Sequence, residues 1–216
     1  MNFNRVVIKV GSALVSPDAQ GCSGKYILAI ARFITQCQQA GKEVILVSSG
    51  SVAAGRGLIA HGSSNPSIPT KQAMASVGQM KMMANWQRFF DVPCSQLLIT
   101  HGDLKDRQRY ISIKNTLRIL LENGVIPIVN ENDTVATEEL KVGDNDNLAA
   151  LVAVVSEADS LFILSDVDGV FEEDPRINPQ AKLIPVINKI DEAIYAMAGA
   201  TNNSIATGGM KTKIQA

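Results

Sequence analysis

Residues 130–147, NENDTVATEELKVGDNDN, hold six carboxylates and four asparagines among eighteen positions, with Lys141 as the sole base. The whole chain is close to neutral, at a formal charge of −1. Carboxylate and carboxamide oxygens accept hydrogen bonds, and a carboxylate adds charge, so this stretch suits a ligand that carries an ammonium group. A plainer role competes at one end. Asp144, Asn145 or Asp146 stands where a cap would start the apolar helix pattern LAALVAVV. One cap needs one such residue, however, and NEND supplies a second acceptor group at a neighbouring strand end.

Three glycine-bearing junctions add the opposite chemistry: KVGSAL (9–14), SSGSVAAG (48–55) and TGGMKTK (207–213). Glycine lets backbone N–H groups approach an anion closely, and a helix N-terminus adds a favourable dipole. Each junction alone reads first as a turn. Three in one chain, two of them with lysine, point to an anion-binding cleft. Lys9 interrupts the apolar run RVVIKV beside its end, either as a snorkelling strand-terminal side chain or as a fixed cation at the cleft mouth. Lys211 and Lys213 stand beside paired glycines, where solvated helix-start charge is the plainer reading. SDVDGVFEEDPR (165–176) sets acidic residues and a turn glycine after a buried strand, and an ordinary β-turn connection would also explain it.

Several common chemistries are excluded. The chain has no G-x-x-x-x-G-K-[ST] loop, no G-x-G-x-x-G fingerprint, and neither the HRD nor the DFG triplet of protein kinases. DNDN lacks the glycine and glutamate of a calcium loop, and Ser49 has no G-x-S-x-G around it. With His61 and His101 as the only histidines, no multi-histidine metal site can form. Lys plus Arg at 20 against Asp plus Glu at 21 gives no footprint for nucleic acid or an anionic membrane. No apolar run approaches membrane-spanning length, and MNFNRVVIKVGS lacks the long apolar stretch of a signal peptide. Cys22, Cys37 and Cys94 are odd in number and widely spaced, which suits reduced thiols in a cytoplasmic protein.

The elements that must position these residues alternate along the chain. Buried strands are predicted at RVVIKV (5–10), EVILVS (43–48), QLLIT (96–100), VIPIVN (125–130) and SLFILSDV (160–167). Helical spacing runs through YILAIARFITQCQQ up to Gly41, through 71–90, and around 109–123, 147–158 and 191–199, while HGSSNPSIP (61–69) reads as loop. The methionines at 74, 80, 82 and 83 read as core filling. TEELKV (137–142) could form one arm of a hairpin. Strands separated by helices predict a three-layer αβα sandwich around a mainly parallel sheet. Such sheets take ligands beyond the C-terminal ends of their strands. VGS, SSGS, NEND and SDVDG all fall there.

These segments together resemble the amino acid kinase family. The matching stretches are VVIKVGSALV, VILVSSGSVAAGR, KQAMASVGQ, IPIVNENDTVAT, KVGDNDNLAALVA, SDVDGVFEEDPR, NPQAKLI and ATGGMKTKIQA, which span nearly the whole of residues 1–216 in the family's order. NENDTVAT with KVGDNDNL is similar to the branch that phosphorylates free L-glutamate. The resemblance implies the amino acid kinase fold and transfer of a phosphoryl group from ATP, with Mg2+, to the γ-carboxylate of L-glutamate, the first step of proline synthesis. It implies that Lys9 and Lys213 contact the transferring group, with Asp146 orienting both. The ATP site would comprise Lys9, Gly11, Ser165, Asp166, Thr207, Gly208, Gly209, Met210, Lys211, Thr212 and Lys213. Ser49, Gly50, Asp133 and Asn145 would hold glutamate, and no protein side chain is assigned to the metal. The family also implies a cytoplasmic dimer or tetramer and feedback inhibition by L-proline. Its kinase domain continues past the point where this chain stops, at KTKIQA, and many members carry a PUA module of which no trace is present here.

The acidic stretch separates relatives. N-acetylglutamate has no ammonium group, so a carboxylate such as Asp133 beside it would be desolvated without a partner. A phosphorylated acceptor, as in uridylate kinases, would be repelled by acid-rich loops. Aspartate kinases typically read KFGG where this chain has KVGS. A non-catalytic amino-acid or nucleotide sensor on the same scaffold is the competing class, but it would have no need of both Lys9 and Lys213.

Overall fold

A computed structural model of the chain describes residues 2–18, 21–62, 65–136, 145–199 and 209–216. The β-branched runs become five parallel strands: β1 (Arg5–Val10), β2 (Glu43–Ser48), β3 (Cys94–Ile99), β4 (Ile126–Glu131) and β5 (Ser160–Leu164). They lie in the order β3-β4-β2-β1-β5. The helices between them are α1 (Ser12–Val15), α2 (Ile27–Gln39), α3 (Ser51–Gly55), α4 (Ile68–Gln87), α5 (His101–Lys105), α6 (Arg107–Glu122), α7 (Asp146–Val155), α8 (Glu192–Gly199) and α9 (Met210–Gln215).

Strand parity divides the core into two layers. Val6, Ile8 and Val10 of β1, with Val44 and Leu46 of β2, face Ala31 and Ile34 of α2 and Met82 and Trp86 of α4. Val7, Ile45, Val47 and Val129 face Leu117 of α6 and Leu148, Val152 and Val155 of α7. This is the expected three-layer sandwich. Side chains along a strand alternate between faces, so Lys9 shares the side of Val7 and meets α7 rather than α2. That single parity decides where its charge goes.

The structure moves several expected boundaries. Helix α4 starts at Ile68, not at 71, because the Ser67 hydroxyl accepts from the Thr70 N–H at 3.4 Å and a proline falls in the first turn. Helix α5 was not expected. Thr100 and Asp103 close it reciprocally: the Thr100 N–H donates to Asp103 Oδ2 at 2.7 Å, and the Asp103 N–H donates to Thr100 Oγ1 at 3.3 Å. Met74 and Met82 fill the core as expected, whereas Met80, 77% exposed, does not. The three cysteines are free thiols, and burial pushes Cys94 up to about 11. The hairpin suggested for 137–142 lies outside the described residues. Among the described residues no helix is long and apolar enough to cross a membrane.

Helices α3 and α4 cross in backbone contact. A methyl added to Gly55 would sit 1.9 Å from the Met74 carbonyl oxygen, and one added to Gly78 would sit 1.9 Å from the Ser51 carbonyl oxygen. The SSGSVAAG junction is thereby seated directly on α4.

Candidate active site

Lys9 and Lys213 are about as distant in sequence as this chain allows, yet they meet on one carboxylate. Lys9 Nζ lies 2.5 Å from Asp146 Oδ1, and Lys213 Nζ donates to Asp146 Oδ2 at 2.9 Å. Lys9 is 5% exposed and Asp146 fully buried. Three elements bring them together. Strand β1 carries Lys9 to the crest of the sheet, α7 begins with Asp146, and α9 presents Lys213 one turn after Gly209. The Thr212 hydroxyl donates to the Gly209 carbonyl at 2.7 Å and lies 3.3 Å from Asp146 Oδ2, which locks the start of α9 against the carboxylate. Gly11 belongs to the same cluster, since a Cβ there would sit 3.9 Å from Lys9 Nζ.

The electrostatics follow from this sharing. Burial alone would push the Asp146 carboxyl up, but the Lys9 ammonium, by charge and hydrogen bond, and then Lys213 outweigh it, so the group ends below the ordinary aspartate value of 3.8. A depressed folded-state value contributes stability that is present above the unfolded value and fades as pH falls through the folded one. Asp146→Asn is therefore expected to be less stable than wild type at pH 6–7. The gap should close as both are taken below about pH 4, and urea unfolding at several pH values measures it. An ammonium group has three N–H donors, so each lysine retains capacity toward an anion while it holds Asp146.

On one flank, Ser165 and Asp166 follow β5 and line a pocket with Gly209, Met210 and Lys213. The same lining includes Asp174 and Arg176, paired at 2.9 Å. Lys211 is exposed and is not among the lining residues, while Thr207 and Gly208 lie outside the described residues. Val167 and Phe171 add apolar surface to a lining that also includes Lys213.

On the other flank, the strand-end junctions interlock. The Ser49 N–H donates to the Val10 carbonyl at 3.0 Å, joining the ends of β1 and β2. Gly50 caps α3 with φ 112, a left-handed conformation that a side chain disfavours, and a Cβ there would meet Val15 at 3.0 Å. The Ser51 hydroxyl donates to Asp133 Oδ2 in a short hydrogen bond, which ties the acidic loop after β4 to the glycine junction after β2. Asn145 Nδ2 donates to Asn130 Oδ1 at 2.6 Å. Ser49, Gly50, Asp133 and Asn145 thus belong to one connected group of strand ends.

Reading the sequence missed Ser51, Asn130 and Gln79. A Ser or Asn at a strand end was visible in SSGS and NEND, but which of two adjacent residues turns toward its neighbour depends on pairing across the sheet. Gln79, in the middle of a helix, offered no local signal at all.

The described geometry places a buried cation, Lys9, and a partly buried one, Lys213, beside an open pocket on one side and an amide- and carboxylate-lined group on the other. It suits transfer of an anionic group between two ligands. The sequence profile of the amino acid kinase family matches residues 4–216. Glutamate 5-kinase of Idiomarina loihiensis is 56% identical over 215 residues, covering 100% of this chain and 58% of the relative. Glutamate 5-kinase 1 of Pseudoalteromonas translucida is 56% identical over 216 residues and glutamate 5-kinase of Salinibacter ruber 55% over 219, each again with 58% of its length covered. The chain thus spans 58% of the length of these curated relatives. Among solved structures, UMP kinase from Bacillus anthracis superposes with a TM-score of 0.54 at 17% identity, covering 85% of this chain and 73% of that one. At that identity the likeness speaks to the fold alone.

Proposed function

The chain belongs to the amino acid kinase family, and from that membership we propose that it transfers the γ-phosphoryl group of ATP to the γ-carboxylate of L-glutamate, giving L-glutamyl 5-phosphate. The observation that carries this reading is the convergence of Lys9 and Lys213 on Asp146 between the two flanks. Phosphoryl transfer needs little covalent help. It needs two substrates held in line and cations where charge spreads over the transferring oxygens. Lys9 and Lys213 supply those cations, Asp146 fixes their tips, and burial strengthens both effects.

ATP would lie in the pocket of Ser165, Asp166, Gly209 and Met210, its phosphates running toward Lys213 and the backbone of Gly11. Among the described residues no group of three His, Cys, Asp or Glu side chains could hold a metal ion. Mg2+ would enter with the nucleotide and neutralise part of its phosphate charge, and no protein side chain is assigned to it. Glutamate would bind against Ser49, Gly50, Asp133 and Asn145, its ammonium meeting Asp133. The high identity to glutamate 5-kinases supports this acceptor over aspartate, a nucleotide or N-acetylglutamate. The stretch is read as the larger part of one kinase domain in a cytoplasmic enzyme of proline synthesis. A dimeric or tetrameric state and inhibition by proline rest on the resemblance alone.

The test is direct. Incubation of the full-length protein with ATP, Mg2+, L-glutamate and hydroxylamine should trap the acyl phosphate as γ-glutamyl hydroxamate. N-acetyl-L-glutamate and L-aspartate should give little product. Absence of hydroxamate from glutamate, with the protein folded, would falsify the reading and favour a sensor.

A further inference from the structure

One amide end of Asn145 is committed before any ligand arrives. Its Nδ2 donates to Asn130 Oδ1 at 2.6 Å, and Asn130 Nδ2 donates in turn to Gln79 Oε1 at 2.9 Å. Three carboxamides, from the residue before α7, from β4 and from α4, form one directed relay. Asn130 is 1% exposed and Gln79 7%. A carboxamide has a donor end and an acceptor end, so engaging Nδ2 of Asn145 leaves its carbonyl oxygen as the end offered to a ligand. Only that polarity receives an ammonium group. The reverse would set an NH2 against it.

The relay ends at Gln79, on α4. Gln79 Nε2 is buried with no partner among the described residues. With Asn130 oriented as it is, turning the Gln79 amide alone would set NH2 against NH2, so the Gln79 oxygen and the Asn130 NH2 are matched to each other. Gly78, the preceding residue, lies under the Ser51 carbonyl at the α3–α4 crossing, which fixes the height of Gln79 relative to the strand ends.

We propose that Gln79 is a positioning residue for acceptor specificity: its carbonyl oxygen orients Asn130, and through Asn130 it turns the carbonyl end of Asn145 toward an acceptor that bears a free ammonium group. The proposal rests on the glutamate reading above. It assigns a role in the site to a side chain on a helix that carries none of the expected catalytic residues.

The experiment compares the full-length wild type with Gln79→Met and Gln79→Glu. Three constants are measured: KM for L-glutamate, KM for ATP, and the inhibition constant of glutarate, which keeps both carboxylates and lacks the amine. Thermal unfolding is recorded alongside. In Gln79→Met, the loss of the terminal acceptor is expected to raise the glutamate KM roughly ten- to a hundredfold. The glutarate constant and the ATP KM should stay where they are. Gln79→Glu keeps an acceptor oxygen and should retain a glutamate KM near that of wild type. A Gln79→Met protein in which the glutamate and glutarate constants rise together, as simple loosening would cause, or in which neither rises, overturns the relay and leaves the kinase reading intact. If the methionine variant does not fold, a glutamate KM raised about tenfold in folded Gln79→Glu overturns it equally. A wild type that turns over no glutamate overturns the kinase reading, and this proposal with it.

Discussion

Lys9→Met and Lys213→Met are each expected to lower kcat for glutamate phosphorylation by about a hundred- to a thousandfold, the usual consequence of removing one preorganised charged contact from a transition state. The KM for glutamate should hardly move, because both ammonium groups hold Asp146 and are assigned to the transferring phosphoryl group rather than to the amine of the acceptor. Methionine keeps the apolar stem of lysine, so packing around β1 and α9 is largely preserved. The two effects should not add. Both lysines hold the same carboxylate, and removing one already loosens the other, so the double variant should lose less than the product of the single losses. Steady-state kinetics decide the matter: turnover within a few-fold of wild type in either single variant would remove that lysine from the chemistry.

Gly78→Ala is expected to destabilise the fold by about 3 kcal/mol, at the upper end of the usual overpacking range. Alanine is the better helix former by about 1 kcal/mol, so propensity alone would favour the change. Geometry outweighs it. The new methyl would lie 1.9 Å from the Ser51 carbonyl oxygen and 2.5 Å from the Gly55 nitrogen, and backbone cannot swing aside as a side-chain tip can. Either α3 lifts from α4 or the helices separate along the crossing. Because Ser51 also holds Asp133, the surviving folded protein should bind acceptor less well. Urea unfolding should show a lowered midpoint with an unchanged slope. Stability within about half a kcal/mol of wild type would mean the crossing yields easily.

Much of this molecule was legible before any coordinates. The strands announce themselves as β-branched runs because a parallel sheet covered on both faces requires continuous apolar sequence, and RVVIKV, EVILVS and VIPIVN have it. The strand-end glycines were equally plain. Boundaries were less so: Ser67 and Pro69 look like loop residues until they are recognised as a helix start. The T-H-G-D signature at 100–103 was present and overlooked. What no local pattern could supply was long-range pairing. That Lys9 and Lys213 share Asp146 follows from sheet order and from where α9 returns, and before the structure it was available only through family resemblance. Asn130 and Gln79 are 51 residues apart, and nothing about a glutamine inside KQAMASVGQMK marks it as the neighbour of a strand end.

Strand β1 also sets a limit on length rather than on composition. Its three valines and its isoleucine could trade places at modest expense to packing, since each lies in an apolar layer whichever β-branched residue it is. A single residue gained or lost ahead of position 9 would be another matter. It would rotate the ammonium into the oily sheet face against Trp86 and Met82, and would hand Asp146 a branched aliphatic side chain in its stead. Among the described strands, β1 can vary in spelling but not in letter count.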